Sequence, residues 1–311
     1  MLFRSLASSD EFPLFDTFAL PASGVGARMK PFAQLAAEGD YRPEWLWLAL
    51  DGDRPAARAA FWGPADAAHP MSVDFFDFDD VDTGAALLRA AYEALVPAGY
   101  HHPLGNERPD YHLFLPADWR ERPDALRDAR QRMDAAEKAG LHFHVERLNL
   151  RWEAEYGLPA RTGRLTLEPV TDDEVLLALL EEIITGSLDA WDQESLTKMS
   201  LREAANEALT GIAGMPGGRD RWRLGYNEAG ELVGMVMPTK NVHFATHGYI
   251  GVAGPHRGRG YAYDLLVESM HRFAAEGEQV ITDNTDVGNH PMAATFDRAG
   301  FRIAGRRVIF K

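Results

Sequence analysis

The chain has 311 residues, no cysteine and a formal net charge of −15. Lacking cysteine, it has no disulfide, thiolate nucleophile or cysteine-held metal, so covalent or metal chemistry must use oxygen or nitrogen groups. The acidity excludes the broad basic face of a nucleic-acid or anionic-membrane binder. No apolar run approaches the roughly 18 residues of a bilayer span, and the first segment, "MLFRSLASSDEFPLF", lacks a secretion signal's apolar core. These absences point to a cytoplasmic protein. An apolar content of 46% supplies a sizeable core, and the length favours two domains of roughly 150 residues each.

In chain order, "EWLWLAL" (44–50) and "MSVDFFDF" (71–78) read as strands, and "TGAALLRAAYEAL" (83–95) as a helix with apolar residues at three- and four-residue steps. Helices follow at 124–140 and 172–184. Strands at 221–226 and 231–237 flank "NEAGE", a hairpin turn. A strand at 247–253, a helix at 261–277 and a strand at 278–283 complete the series. The mixture predicts an α+β (mixed α/β) fold.

The halves also echo each other. "AAEKAGLHFHVERLNL" (135–150) and "ATFDRAGFRIAGRRVIF" (294–310) both run from a helix end through Ala-Gly and a large apolar residue into a strand. Setting Gly140 on Gly300 gives an offset of 160 residues, and "GAALLRAAYEAL" then echoes "GYAYDLLVESMHRF". Two corners in the same order favour a tandem duplication, with domains at 1–155 and 156–311 and a boundary in "EYGLPARTGR".

The segment "VAGPHRGRGYAYDLL" (252–266) sets a strand, a glycine-rich loop and a helix start in succession. The first turn of a helix leaves N–H groups unpaired and its dipole favours an anion. Glycines let the backbone approach a phosphate closely, and Arg257 and Arg259 add donors that suit its oxygens. A P-loop would need Lys then Ser or Thr after the last glycine, where Tyr261 and Ala262 stand. A dinucleotide fingerprint counted from Gly258 meets Tyr263 at its sixth position and lacks the acidic residue downstream. "RGRGYA" instead fits Arg/Gln, two residues, Gly, one residue, Gly/Ala.

With "NHPMAATFDRAGF" (289–301) downstream, that pattern resembles the acyl-coenzyme-A-binding half of a GNAT-superfamily N-acyltransferase, over residues 165–311. The resemblance implies two tandem GNAT-like domains, each a mixed, mostly antiparallel sheet flanked by helices. It implies acetyl-coenzyme A or another acyl-coenzyme A as co-substrate, its pyrophosphate wrapped by backbone at Arg257, Gly258, Arg259, Gly260, Tyr261 and Ala262. It places Asn289 at the coenzyme arm and the Val252 N–H at the thioester carbonyl. The family's frequent tyrosine, which protonates the departing thiolate, is Phe296 here. In the first half the corresponding stretch, "FDFDDVDTGAALL" (76–88), sets Asp77, Asp79, Asp80 and Asp82 where a pyrophosphate would be repelled. That half is expected to have lost the coenzyme site. The aspartates read as a solvated loop, or else as a site for a metal or cationic acceptor.

Transfer of an acyl group to an amine needs the amine neutral, against an ammonium pKa near 10.4, so a general base is expected. His247 has a suitable ordinary pKa, although alternation puts 247, 249 and 251 on one face, away from the Val252 side chain; packing is the competing reading. Thr246, Tyr249 and His243 lie nearby. Asn284, Asp283 and Asp286 in "DNTD" are cleft candidates or an ordinary polar turn. Asp189, Asp192 and Glu194 around Trp191, in a loop at 186–200, suit a small-molecule or peptide amine, or form a solvated loop. The His142/His144 and His101/His102 pairs lack a third ligand, so no metal is expected. Arg306 and Arg307 are expected at the surface or a domain contact. A monomer or homodimer fits, and a non-catalytic acyl-coenzyme-A sensor or partner-binding module is the alternative to an enzyme.

Overall fold

The computed structural model describes residues 1–19, 21–28, 30–39, 41–63, 67–97, 100, 108–241 and 243–311; His101 and His102 lie outside them. The elements are β1 (Leu2–Ser5), α1 (Phe12–Phe15), α2 (Phe32–Ala37), β2 (Leu46–Asp51), β3 (Arg54–Trp62), β4 (Ser72–Phe78), α3 (Val81–Leu95), β5 (Asp110–Leu115), α4 (Pro123–Lys138) and β6 (Phe143–Glu153). They continue with β7 (Thr166–Pro169), α5 (Asp173–Ile184), α6 (Ala190–Lys198), α7 (Leu201–Ala213), β8 (Arg223–Tyr226) and β9 (Leu232–Lys240). The chain closes with β10 (Ala245–Val252), α8 (Tyr261–Ala275), β11 (Val280–Asp286), α9 (His290–Arg298) and β12 (Arg302–Phe310). The segment read as a loop at 186–200 therefore contains a helix, α6. Its apolar residues are too few to show a periodic stripe, but Asp189 caps its start by accepting from the Trp191 N–H.

The chain divides into two compact units, Met1–Glu146 with Gly305–Lys311, and Arg147–Ala304. In the first unit the antiparallel run β1-β2-β3-β4 continues through β5, parallel to β4, to residues 306–310 of β12, which pair antiparallel with β5. Helices α3 and α4 cover one face through Leu87, Leu88, Ala125 and Ala129. On the other, Phe15, Phe32 and Leu35 pack on Leu46, Leu48 and Phe75. The aspartates of 77–82 are all partnered. Asp77 is buried between Arg58 (2.8 Å) and Arg132 (2.7 Å), Asp79 pairs with Arg54 and Asp82 with Lys138. Asp80 caps α3 by accepting from the Thr83 N–H. Strand β4 thus passes into α3 through an acidic cap, with no glycine loop between them. Arg306 also belongs to this unit, donating to the Ala117 carbonyl and pairing with Glu146.

In the second unit the order is β6-β11-β10-β9-β8-β7, antiparallel except for β10 with β11. Strand alternation splits the core. Met235 and Met237 of β9 face α5 and α7 with Leu176, Leu180 and Ala205, whereas Val236 faces α8 with Val252 and Leu265. Trp152, Ile281, Leu266, Phe273 and Phe301 fill the side beneath α8 and α9.

Candidate active site

The site begins with an irregularity in β10. Its pairing with β9 shifts register between His247 and Tyr249, so Gly248 is an extra residue. A Cβ there would lie 2.6 Å from Ile212 Cγ2, which leaves room only for glycine. A bulge reverses the side-chain alternation beyond it. His247 and Tyr249 consequently point to opposite faces, contrary to the unbroken alternation read from the sequence. His247 packs on Phe273 of α8, with ring centroids 5.3 Å apart. Tyr249 joins the core beneath α5 and α7.

β10 and β11 pair in parallel at Ala245 and Ile281. Past that point the Asp283 carboxylate, instead of β11 backbone, receives the His247 N–H (2.8 Å) and the Thr246 hydroxyl (3.2 Å). Its second oxygen meets His247 Nδ1 at 2.8 Å, and His247 Nε2 meets Ser269 Oγ at 2.8 Å. The His247 and Asp283 side chains are 1% and 2% exposed. Both ring nitrogens are engaged and the ring is shut from solvent. His247 lines the cleft, and of the two readings of this residue, base or packing, the geometry is that of packing: the imidazole is a wedge between two strands.

The spread frees the end of β10. Ala253 N–H donates to Val233 C=O, and Val252 stands opposite Gly234. Antiparallel pairing alternates bonded and non-bonded residues, so the Val252 N–H turns away from β9. The Val252 carbonyl accepts from Arg257 Nε at 3.0 Å.

The loop to α8 relies on Gly258 and Gly260, with φ of 75° and 83°, a region side chains rarely adopt. The first intrahelical donors are Tyr263 and Asp264, both to the Gly260 carbonyl. The N–H groups of Gly260, Tyr261 and Ala262 thus precede the hydrogen-bonded ladder, and the Gly260 cap has no side chain to satisfy them. Arg257 does not supply its guanidinium to this cradle. It donates to the carbonyls of Gly186 (2.6 Å) and Ile183 (2.7 Å) as well as Val252, which moors the loop to the end of α5. Arg259 is exposed, and its carbonyl accepts from Arg164, which pairs with Asp264 at 2.5 Å and lies over the Tyr261 ring.

These parts open on one cleft of about 520 Å³, lined by Val252, Gly258, Gly260, Tyr261 and Ala262 on the loop side. Asn284 and Asn289 line it too. Asn284 is exposed on β11, and Asn289 caps α9 by accepting from the Met292 N–H at 3.2 Å. Phe296 is 3% exposed and packs edge-on to Phe301.

The opposite wall is acidic. Asp192 of α6 is 8% exposed and accepts from the Tyr249 hydroxyl at 2.7 Å. Arg147 bridges Asp189 (3.1 Å) and Asp286 (3.0 Å) and lies over Trp191. Asp286 also accepts the Ala190 N–H at the start of α6. Burial, with Asp189 nearby, pushes the Asp192 carboxyl above the usual range; burial does the same to Asp286. Burial and the Asp192 charge push the Tyr249 phenol well up. Glu194 instead pairs with Lys198 on the same helix, away from the cleft lining. His243 sits in a turn, its N–H on the Asn241 side chain. Among the described residues no cluster of three or more His, Asp or Glu is placed to hold a metal, and no helix is long and apolar enough to cross a membrane. Arg147 and Ser269 were missed by sequence reading, because nothing local marks a strand arginine or a mid-helix serine whose partners lie far along the chain.

Residues 187–301, which hold the spread strands and the glycine loop, match the Acetyltransferase (GNAT) family model. The whole fold is similar to a GCN5-related N-acetyltransferase from Sphaerobacter thermophilus, at 16% identity and a TM-score of 0.57, covering 99% of this chain and 94% of that one. It is also similar to a tandem GNAT protein from the clavulanic acid biosynthesis pathway, at 19% identity and a TM-score of 0.53, covering 99% and 97%. A search of curated proteins gives no match.

Proposed function

We propose that this protein is an acyl-coenzyme-A-dependent N-acyltransferase, with acetyl-coenzyme A as donor and a small-molecule or peptide amine as acceptor. One observation carries the reading: the unladdered N–H groups at the start of α8 and the freed end of β10 open on the same cleft. The loop fits a pyrophosphate, because a Cβ at Gly258 would meet nothing within 4 Å, which leaves the backbone approachable. Gly258, Gly260, Tyr261 and Ala262 would hold the phosphates, and Asn284 and Asn289 would face the coenzyme arm. When bound, the coenzyme supplies a thioester whose carbonyl the amine attacks. The Val252 N–H is turned to polarise that carbonyl, while Arg257 keeps the loop in place. Phe296 cannot donate a proton, but a thiol of pKa near 8.5 leaves without a dedicated acid. The first unit, with its acidic cap at Asp80, is assigned no coenzyme site, and the functional division follows the two repeats, 1–155 and 156–311.

Calorimetric titration of acetyl-coenzyme A into the purified chain tests this. One site per chain is expected, lost in Gly260→Glu, whose carboxylate would meet the phosphates. Two sites would contradict the reading of the first unit, and no binding at millimolar ligand would overturn the function. Release of free thiol in the presence of amines separates the enzyme from a non-catalytic binding module.

A further inference from the structure

With both His247 ring nitrogens already hydrogen-bonded, the acidic wall is the other source of proton chemistry in the cleft, and it offers one group held in a fixed orientation. Asp192 lines the cleft, and its carboxylate is held by the Tyr249 phenol at 2.7 Å. Tyr249 is three residues before Val252 on the same strand, so their backbone positions lie about 10 Å apart along β10, and Asp192 and Val252 line the same cleft. We infer that Asp192 is the catalytic proton acceptor for the attacking amine and that Tyr249 is its positioning residue. This rests on the acyltransferase reading above.

The charged groups around Asp192 are consistent with that role. Among the described residues Asp189 and Asp286 ion-pair with Arg147 alone, leaving this wall with an excess of negative charge that draws an ammonium group. Arg147 is tied to Asp189 and Asp286 and stacked on Trp191, and its charge works against burial by favouring the Asp192 carboxylate. The Ser187 hydroxyl and the Tyr249 phenol are the hydrogen-bond donors to Asp192. Burial raises the carboxyl's proton affinity, the direction a base for an ammonium needs.

An ammonium group against Asp192 passes one proton to the carboxylate. The freed nitrogen lone pair attacks the thioester carbonyl carbon and a C–N bond forms. The C–S bond breaks, and the departing thiolate takes the second proton that the nitrogen sheds on becoming an amide. The Asp192 proton then passes to solvent, so one proton is released per turnover.

The test is thiol release from acetyl-coenzyme A between pH 6 and 10, using tyramine, spermidine and a lysine-containing peptide as probes, beside hydroxylamine, which is already neutral at pH 7. Asp192→Asn should lower kcat/KM for the ammonium probes by about 10²–10⁴-fold. The remaining rate with the ammonium probes should climb with pH as the free-amine fraction does, with hydroxylamine affected far less and calorimetric acetyl-coenzyme A affinity unchanged. Tyr249→Phe should lower turnover with the ammonium probes without abolishing it. An equal loss with hydroxylamine, or an unaltered pH profile in Asp192→Asn, would overturn the assignment. No thiol release from wild type with any probe would overturn it too. One-site coenzyme binding in that same protein would leave the coenzyme reading standing.

Discussion

The wedge between β10 and β11 makes a strong and separable prediction. Asp283→Ala removes the carboxylate that meets His247 on both its backbone and its ring, and also the acceptor of the Thr246 hydroxyl. Each buried donor left unpaired costs about 1–3 kcal/mol, and the His247 backbone N–H and the Thr246 hydroxyl are two such donors. Taking about 4 kcal/mol, and about 2–4 °C per kcal/mol for a unit of this size, the melting temperature of the second unit should fall by about 8–16 °C. Differential scanning calorimetry at pH 8 reads this directly. Replacing both members by apolar residues, His247→Phe with Asp283→Leu, should recover much of the stability, yet close the strands and lose acetyl-coenzyme A binding. The wedge reading is refuted if Asp283→Ala melts within about 2 °C of wild type. It fails equally if His247→Asn keeps its melting temperature and coenzyme affinity while turnover disappears, because that is the behaviour of a base.

Gly234→Ala should cost about 1–3 kcal/mol by overpacking, since its Cβ would run into the Gly251 carbonyl and the Val252 Cα; a thermal melt and coenzyme calorimetry should show lower stability and lost binding together. Arg257→Lys forfeits the fork that serves three carbonyls, and hydrogen exchange should rise at both 183–187 and 254–260, with weaker coenzyme binding. Asp192→Asn should change stability in a pH-dependent way. The folded pKa of Asp192 is raised by burial, so the native state holds its proton longer than the unfolded chain. The stability cost is then absent below the unfolded value of about 3.9, grows as pH rises through the window up to the folded value, and is complete above it. Denaturation at pH 4 and pH 8 should show Asn gaining on Asp only at the higher pH; a constant difference would contradict the assignment of the shift.

What the sequence determined by itself was local. The glycine loop at 254–260, with left-handed φ at Gly258 and Gly260, was legible because such a turn needs particular residues in immediate succession. The long helices α3, α4, α5 and α8 were legible because one amphipathic stripe suffices to signal them. Tertiary structure decided what depends on distant partners. Strand β3, "RPAARAAFW", is rich in alanine and becomes a strand only by pairing on both sides with β2 and β4. The bulge at Gly248 follows from the fit of β10 against Ile212, and it is what sends His247 into the core and Tyr249 toward Asp192. Arg257 looked like a phosphate ligand beside two glycines, but the nearby carbonyls at the end of α5 claim its donors. The last strand pairs with β5 far earlier in the chain, Arg306 opposite Leu115 and Phe310 opposite Tyr111, in the first unit. A short segment encodes its own backbone geometry, whereas the direction a side chain takes is set by whichever distant group satisfies its hydrogen bonds once the chain has packed.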